Sequence, residues 1–245
     1  KTSGEVNVWG FDLDKNPRQV RASVGIVPQE VNLDAFFSPK NLLELQAGLY
    51  GVKKKNRITD IILKLVSLEK QANSYARSLS GGMKRRLLIG KAMVHQPPIL
   101  ILDEPTAGVD VELRKNLWSN VKELNKIGVT IILTTHQLYE AEEMCDRIGI
   151  INKGSLVALD TTENLLGRIE TKKIKFKVKN LENFEKIKMN GIKFAKSDSD
   201  IVAIYDKKKF KVEDVINRIK ENAEIIDIST DDGDLEDIFI ELTNN

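Results

Sequence analysis

Asp103 and Glu104 leave a wholly apolar run, Ile99-Leu100-Ile101-Leu102, and are followed at once by Pro105. Two adjacent carboxylates at the mouth of a buried strand have distinct chemical uses. The first can hold Mg²⁺, usually through water, and the second can orient and deprotonate a water for attack on a γ-phosphate. Taken alone, the pair could equally open a turn. Thr134-Thr135-His136 closes the next apolar segment and brings an imidazole to the same edge, where it can hydrogen-bond a phosphate oxygen or the attacking water. His95 precedes Gln96-Pro97-Pro98 in a connection and reads as structural.

Phosphate chemistry also needs a cradle. Leu79-Ser80-Gly81-Gly82-Met83 leads into Lys84-Arg85-Arg86, and a helix start with free N–H groups, Gly backbone and a Ser hydroxyl suits an anion. A plain Ser N-cap is the competing use, but paired glycines lower helix propensity and make sense where a ligand approaches the backbone. Gln29, after Val24–Val27 and Pro28, is a neutral side chain at another strand end; beside the other pieces it can contact Mg²⁺ or a water. No Gly-x-x-x-x-Gly-Lys-Ser/Thr phosphate loop occurs in the 245 residues. Lys1-Thr2-Ser3 imitates its tail, yet that tail should open a helix, and here Gly4 leads into the strand-like Glu5–Trp9. With a first residue other than Met, the expectation is an N-terminally truncated sequence whose loop, with its strand and helix, lies upstream.

Such groups have to be held by alternating strands and helices. Val24–Val27 and Ile99–Leu102 read as strands, the second apolar on both faces as in a buried parallel sheet. Ser38-Pro39 supplies an N-cap and a first-turn Pro for a helix that Gly51 stops. Helical spacing returns over Ile58–Ser67, Gly82–Val94, Glu112–Lys126 and Leu138–Cys145, with strands at Val129–Thr134 and Arg147–Asn152. This is an α/β domain. From Thr161 the segments shorten and charge thickens: strand Lys173–Val178, helix Glu182–Met189, strands Ile192–Lys196 and Ile201–Tyr205, helix Val212–Glu221 and strand Ile225–Ser229, then a last helix Leu235–Leu242. That order is βαββαβ, the ferredoxin-like pattern. The expected domains are 1–160 and 161–245, with the boundary between about Asp160 and Lys172.

Composition sets outer limits. With 41% hydrophobic and 30% charged residues the chain can build a core, and Lys+Arg 38 against Asp+Glu 36 leaves no basic excess to suggest nucleic acid. Cys145 is the single cysteine, which rules out an internal disulfide and fits a reducing compartment. No apolar run approaches the roughly 20 residues that span a bilayer, so a membrane link would come through a partner.

Together these residues resemble the nucleotide-binding subunit of ABC transporters over roughly residues 1 to 160. Gln29 looks like the Q-loop glutamine, Leu79–Met83 like the signature motif, and Ile99–Glu104 like Walker B with its catalytic glutamate. Ala107-Gly108-Val109-Asp110 looks like the D-loop and His136 like the switch histidine. Met83, where many members carry Gln, and the run Met83-Lys84-Arg85-Arg86-Leu87 are similar to the export-type branch paired with ABC-2 permeases; Leu235–Leu242 looks like that branch's tail.

The resemblance implies a P-loop NTPase-like fold and two subunits sandwiching two ATP with Mg²⁺. Glu104 and His136 would be catalytic. Asp103 and Gln29 would serve Mg²⁺, and Ser80, Gly81, Gly82, Met83 and Asp110 the nucleotide, the signature residues acting on the partner's ATP. It implies a separate ABC-2 membrane permease, contacted through about Phe36 to Ala76, and a place at the cytoplasmic face of the membrane. A homodimer is the first expectation, with a heterodimer open. Two other readings stay open: a non-transport ABC protein and a non-hydrolysing regulatory remnant, the latter because a chain without the phosphate loop should bind ATP poorly.

Overall fold

The structure, a computed structural model, describes residues 2–107, 109, 111–179, 181, 184–197 and 200–243, the side chains of Glu112 and Leu113 excepted. It divides into two compact units, Lys1–His136 and Gln137–Asn245. No helix among the described residues is long and apolar enough to cross a membrane.

In the first unit, β3 (Val24–Val27), β4 (Ile99–Asp103) and β5 (Thr130–Thr134) form a parallel sheet with β4 in the centre. Their register sets Val27 beside Leu102 and Asp103 beside Thr134. All three carboxyl ends therefore share one edge, where ligands gather in open α/β sheets. Leu100 and Leu102 are fully buried, as the apolar run requires. Helix α4 (Gly81–Met93) packs closely on β3: a Cβ on Gly25 would meet the Ala92 carbonyl oxygen at 2.4 Å. Glycine is needed there for approach rather than for its dihedral freedom. Helix α2 (Pro39–Leu49) is capped by Ser38, whose hydroxyl accepts from the Asn41 N–H at 3.3 Å. It packs with α3 (Thr59–Leu65) and α4 through Leu43, Ile62 and Leu87, all 2% exposed or less. Helix α5 spans Val111–Lys126.

The strand expected over Glu5–Trp9 is instead a short hairpin, β1 (Asn7–Val8) with β2 (Phe11–Asp12). Trp9 at φ 52° and Gly10 at φ 82° are both left-handed, the geometry of a two-residue type I′ turn. A short helix that the sequence did not announce, α1 (Pro17–Ala22), follows it.

The second unit opens with α6 (Leu138–Met144), the ribbon β6 (Arg147–Asn152) and β7 (Ser155–Thr161), and α7 (Thr162–Leu166). Strands β8 (Thr171–Val178), β9 (Ile192–Ser197), β10 (Asp200–Asp206) and β11 (Ile225–Asp231) make an antiparallel sheet in the order β11-β8-β10-β9, with α8 (Val212–Lys220) between the last two in sequence. This is the split βαβ order that the βαββαβ pattern predicts. Ile174, Phe176, Ile201, Ala203, Val215 and Ile219 form its core. The expected helix Glu182–Met189 is a correction: a single 3-10 turn spans Phe184–Lys186, while Glu182 itself lies outside the described residues. Gly191 at φ 85° and a bridge between Met189 and Ile192 reverse the chain before a helix can run on.

The packing division falls after His136, ahead of the composition-based boundary at Asp160 to Lys172. Helix α9 (Leu235–Thr243) explains this. Its Leu235 and Ile238 join Ala141, Ile148, Ile150, Ala158 and Leu165 in one buried cluster. Composition had registered the solvent-facing lysines of β8, whereas buried contacts draw the line.

Candidate functional site

The edge formed by β3, β4 and β5 gathers four of the expected residues. Asp103, exposed at the end of β4, accepts a hydrogen bond from the Thr134 hydroxyl across the parallel register. Glu104 turns out of the strand with φ 45°, a conformation uncommon for a residue with a side chain and often found where function needs a fixed direction. Its N–H donates to the Thr134 carbonyl at 3.0 Å. Its Oε1 accepts twice from His136, from the backbone N–H at 2.9 Å and from Nδ1–H at 2.8 Å.

The pair is asymmetric toward solvent: the Glu104 side chain is 16% exposed and that of His136 is 74% exposed. The second carboxylate oxygen, Oε2, is buried without a hydrogen-bond partner among the described residues. A buried polar atom left unpaired is costly. With Nδ1–H committed to Glu104, the neutral ring of His136 has Nε2 as its acceptor.

Gln29 lies exposed in the bend after β3, and its backbone is tightly held. Arg85, 3% exposed, does the holding. Its Nη1 donates to the carbonyls of Pro28 at 2.8 Å and Gln29 at 2.6 Å, Nη2 to that of Glu104 at 2.5 Å, and Nε to that of Pro105 at 2.8 Å. Burial lowers the Arg85 pKa from its ordinary value, and the charge of Asp103 opposes that shift. Sequence reasoning passed over this residue, although a signal existed. Gly82, Arg85 and Ile89 share one buried helical stripe, and an arginine on an apolar stripe must be paired with something.

Ser80 precedes α4 and its hydroxyl accepts from the Met83 N–H at 3.3 Å, so the capping use weighed above is realised. Ser80 and Gly81 are exposed, Gly82 is buried and Met83 half-buried. Among the described residues, nothing within 4 Å would meet a Cβ on Gly81. Asp110, with Gly108, lies outside the described residues. His95 is structural: it stacks on Tyr50 with ring centroids 3.7 Å apart, and its Nε2 pairs with the Val24 carbonyl at 3.1 Å. Among the described residues, no group of three or more His, Cys, Asp and Glu side chains could hold a metal.

A parallel sheet that delivers an Asp-Glu pair and a histidine to one edge, beside a glycine-rich helix start, defines a domain of the P-loop NTPase-like, ATP-binding-cassette class. Residues 1–107 match the family model described as ABC transporter, and that segment belongs to the family. It is 38% identical over 170 residues to the linearmycin resistance ATP-binding protein LnrL of Bacillus subtilis (strain 168), covering 68% of this chain and 54% of that protein. It is 39% identical over 173 residues to the Nod factor export ATP-binding protein I of Neorhizobium galegae, covering 68% and 50%. The chain thus spans about half the length of these curated relatives.

Two solved structures share the fold. The ATP-binding subunit of an ABC transporter superposes with a TM-score of 0.59 at 28% identity, covering 68% of this chain and 70% of that one. The dimeric, post-hydrolysis ATP-binding cassette MJ0796, bound to ADP and Pi, gives 0.56 at 26% identity, covering 66% and 74%.

Proposed function

We propose that this chain is the ATP-binding and ATP-hydrolysing part of an ABC-2-type exporter. One observation carries the reading: Glu104 is anchored twice to His136 through Oε1 while its buried Oε2 has no partner among the described residues. A general base needs that arrangement, one oxygen fixing direction and the other free to accept a proton from an aligned water. Anchoring by His136 keeps the carboxylate from swinging away, so the cost of orienting it is met before substrate arrives.

Asp103, fixed by Thr134, offers an oxygen to Mg²⁺, and Gln29 offers its amide oxygen from the neighbouring strand. Bound there, Mg²⁺ would neutralise charge on the β- and γ-phosphates. His136, exposed on its outer side, can donate to the γ-phosphate when Nε2 carries a proton, or accept from a water when Nε2 is bare. Ser80, Gly81, Gly82 and Met83 present a helix start to a second subunit's nucleotide, and the resemblance assigns Asp110, which lies outside the described residues, to nucleotide binding as well. The open space beside Gly81 is consistent with a ligand brought by a partner.

The name of one relative, a Nod factor export ATP-binding protein, supports export as the direction of work. A dimer is supported by the dimeric ATP-binding cassette among the similar structures. The segment from Phe36 to Ala76 exposes Phe36 (71%), Leu49 (74%) and Ile61 (65%), apolar surface suited to a membrane permease that would hold the chain at the cytoplasmic face. In the complete protein, Glu104→Gln should retain ATP and lower steady-state hydrolysis by about 100-fold or more, the loss expected when a general base is removed. Unaltered turnover would remove Glu104 from the role given to it.

A further inference from the structure

Arg85 carries a buried positive charge whose four hydrogen bonds among the described residues all go to backbone carbonyls. Those carbonyls come from two places. Pro28 and Gln29 follow the end of β3, and Glu104 and Pro105 follow the end of β4, just where the strand ladder stops. Beyond the ladder these peptides have lost their sheet partners, and a planar guanidinium with five N–H groups can serve several at once. One rigid group therefore ties the backbone of Gln29 to that of Glu104.

The same group stands on α4, in the turn after Ser80–Met83. The next residue, Arg86, projects to another side, where its Nη1 donates to the carbonyls of Val66 at 2.8 Å and Ser67 at 3.1 Å, at the end of α3. Adjacent arginines thus link α4 to the carboxyl edge on one side and to the helical layer on the other. We infer that Arg85 is a positioning residue that couples α4 to the Gln29 loop and the Glu104 turn, so that a shift of the glycine-rich helix start moves both together. Its consequence for catalysis rests on the ATPase reading above; the coupling itself does not.

The test uses the complete protein and three variants, Arg85→Met, Arg85→Lys and Arg86→Met, each followed by backbone hydrogen exchange and by MgATP turnover. In Arg85→Met, exchange should rise together at residues 29–30 and at residues 104, 106 and 107. Turnover should lose about 10- to 100-fold in kcat, the cost of misplacing a reacting group by about 1 Å, with KM within about twofold of wild type. Lysine keeps the charge but gathers its three donors on one nitrogen, so Arg85→Lys should recover part of both losses. Arg86→Met should loosen residues 66–67 and leave the two edge segments protected.

Wild-type exchange at both segments in Arg85→Met, or loosening of one alone, overturns the coupling. Joint loosening with unchanged kcat overturns its catalytic consequence. Should Arg85→Met not fold, the lysine variant decides on the same two readouts. If wild type itself hydrolyses no ATP while Arg85→Met loosens both segments, the ATPase reading fails and the coupling stands.

Discussion

Glu104 and His136 are joined through a single carboxylate oxygen, which accepts both the backbone N–H and the ring Nδ1–H of the histidine. The two bonds have different fates on mutation. His136→Ala removes the ring bond and keeps the backbone bond at 2.9 Å, so Glu104 stays near its place but loses half of its anchor and its polar neighbour. In the complete protein kcat should fall about 10- to 100-fold, less than for Glu104→Gln, with ATP affinity preserved. Equal losses in the two variants, measured by steady-state hydrolysis, would make His136 a chemical partner of equal weight rather than an orienting one.

Gly81→Ala separates packing from function. Space beside Gly81 is open among the described residues, and alanine favours helix over glycine by up to about 1 kcal/mol. The variant should melt no lower than wild type, and slightly higher if the first turn of α4 contributes. Hydrolysis in the assembled protein should nevertheless drop, because the added methyl would meet the partner's nucleotide. A destabilised variant would point to a close neighbour inside the chain instead.

Glu44 gives a pH test. Its carboxyl is held below the usual value first by the Thr59 hydroxyl and then by the Arg57 guanidinium at 2.7 Å. A depressed folded pKa means the unfolded chain binds more protons in acid. The stabilisation is therefore complete above the unfolded value, about 4.3, and fades as pH falls through the folded one. The difference in Tm between wild type and Glu44→Gln should be constant near neutrality and shrink below pH of about 4.3. A difference that grows on acidification would reverse the sign assigned to this group.

Cutting the chain after Asp160 tests the observed packing. Such a product loses Leu165, Ile169, Leu235 and Ile238, which bury Ala141, Ile148, Ile150 and Ala158. It should bind hydrophobic dyes and aggregate, whereas cutting after His136 spares the first unit this exposure. A well-behaved product ending at Asp160 would restore the composition-based boundary.

Much of the fold could be read from residue order because single elements carry their own signals. Apolar Ile99–Leu102 and the Ser38-Pro39 start with Gly51 beyond it are local statements, and the structure keeps β4 and α2 within a residue of those limits. Trp9 in a left-handed turn was not legible, since tryptophan is no turn former and the hairpin depends on its partner strand. Six-residue α1 is too short to show a period. At the site, the edge residues Asp103, Glu104 and His136 were found because strand ends announce them. Arg85 and Thr134 were missed because their importance lies in carbonyls and carboxylates that only folding brings within reach.

The cover that α9 provides has a kinetic meaning. Leu235 donates its N–H to Glu142, 93 residues earlier, at 3.1 Å. Closing a flexible loop of that length costs about 4 kcal/mol in chain entropy before any contact repays it, and such non-local closures are slow. The four-stranded sheet β8–β11 lies inside the loop and shortens it by folding first. Amides near Phe176 should thus gain protection ahead of those near Ile150 when refolding is sampled by pulse-labelled exchange. The ribbon β6–β7, though built from neighbours in sequence, waits for the last helix to find it.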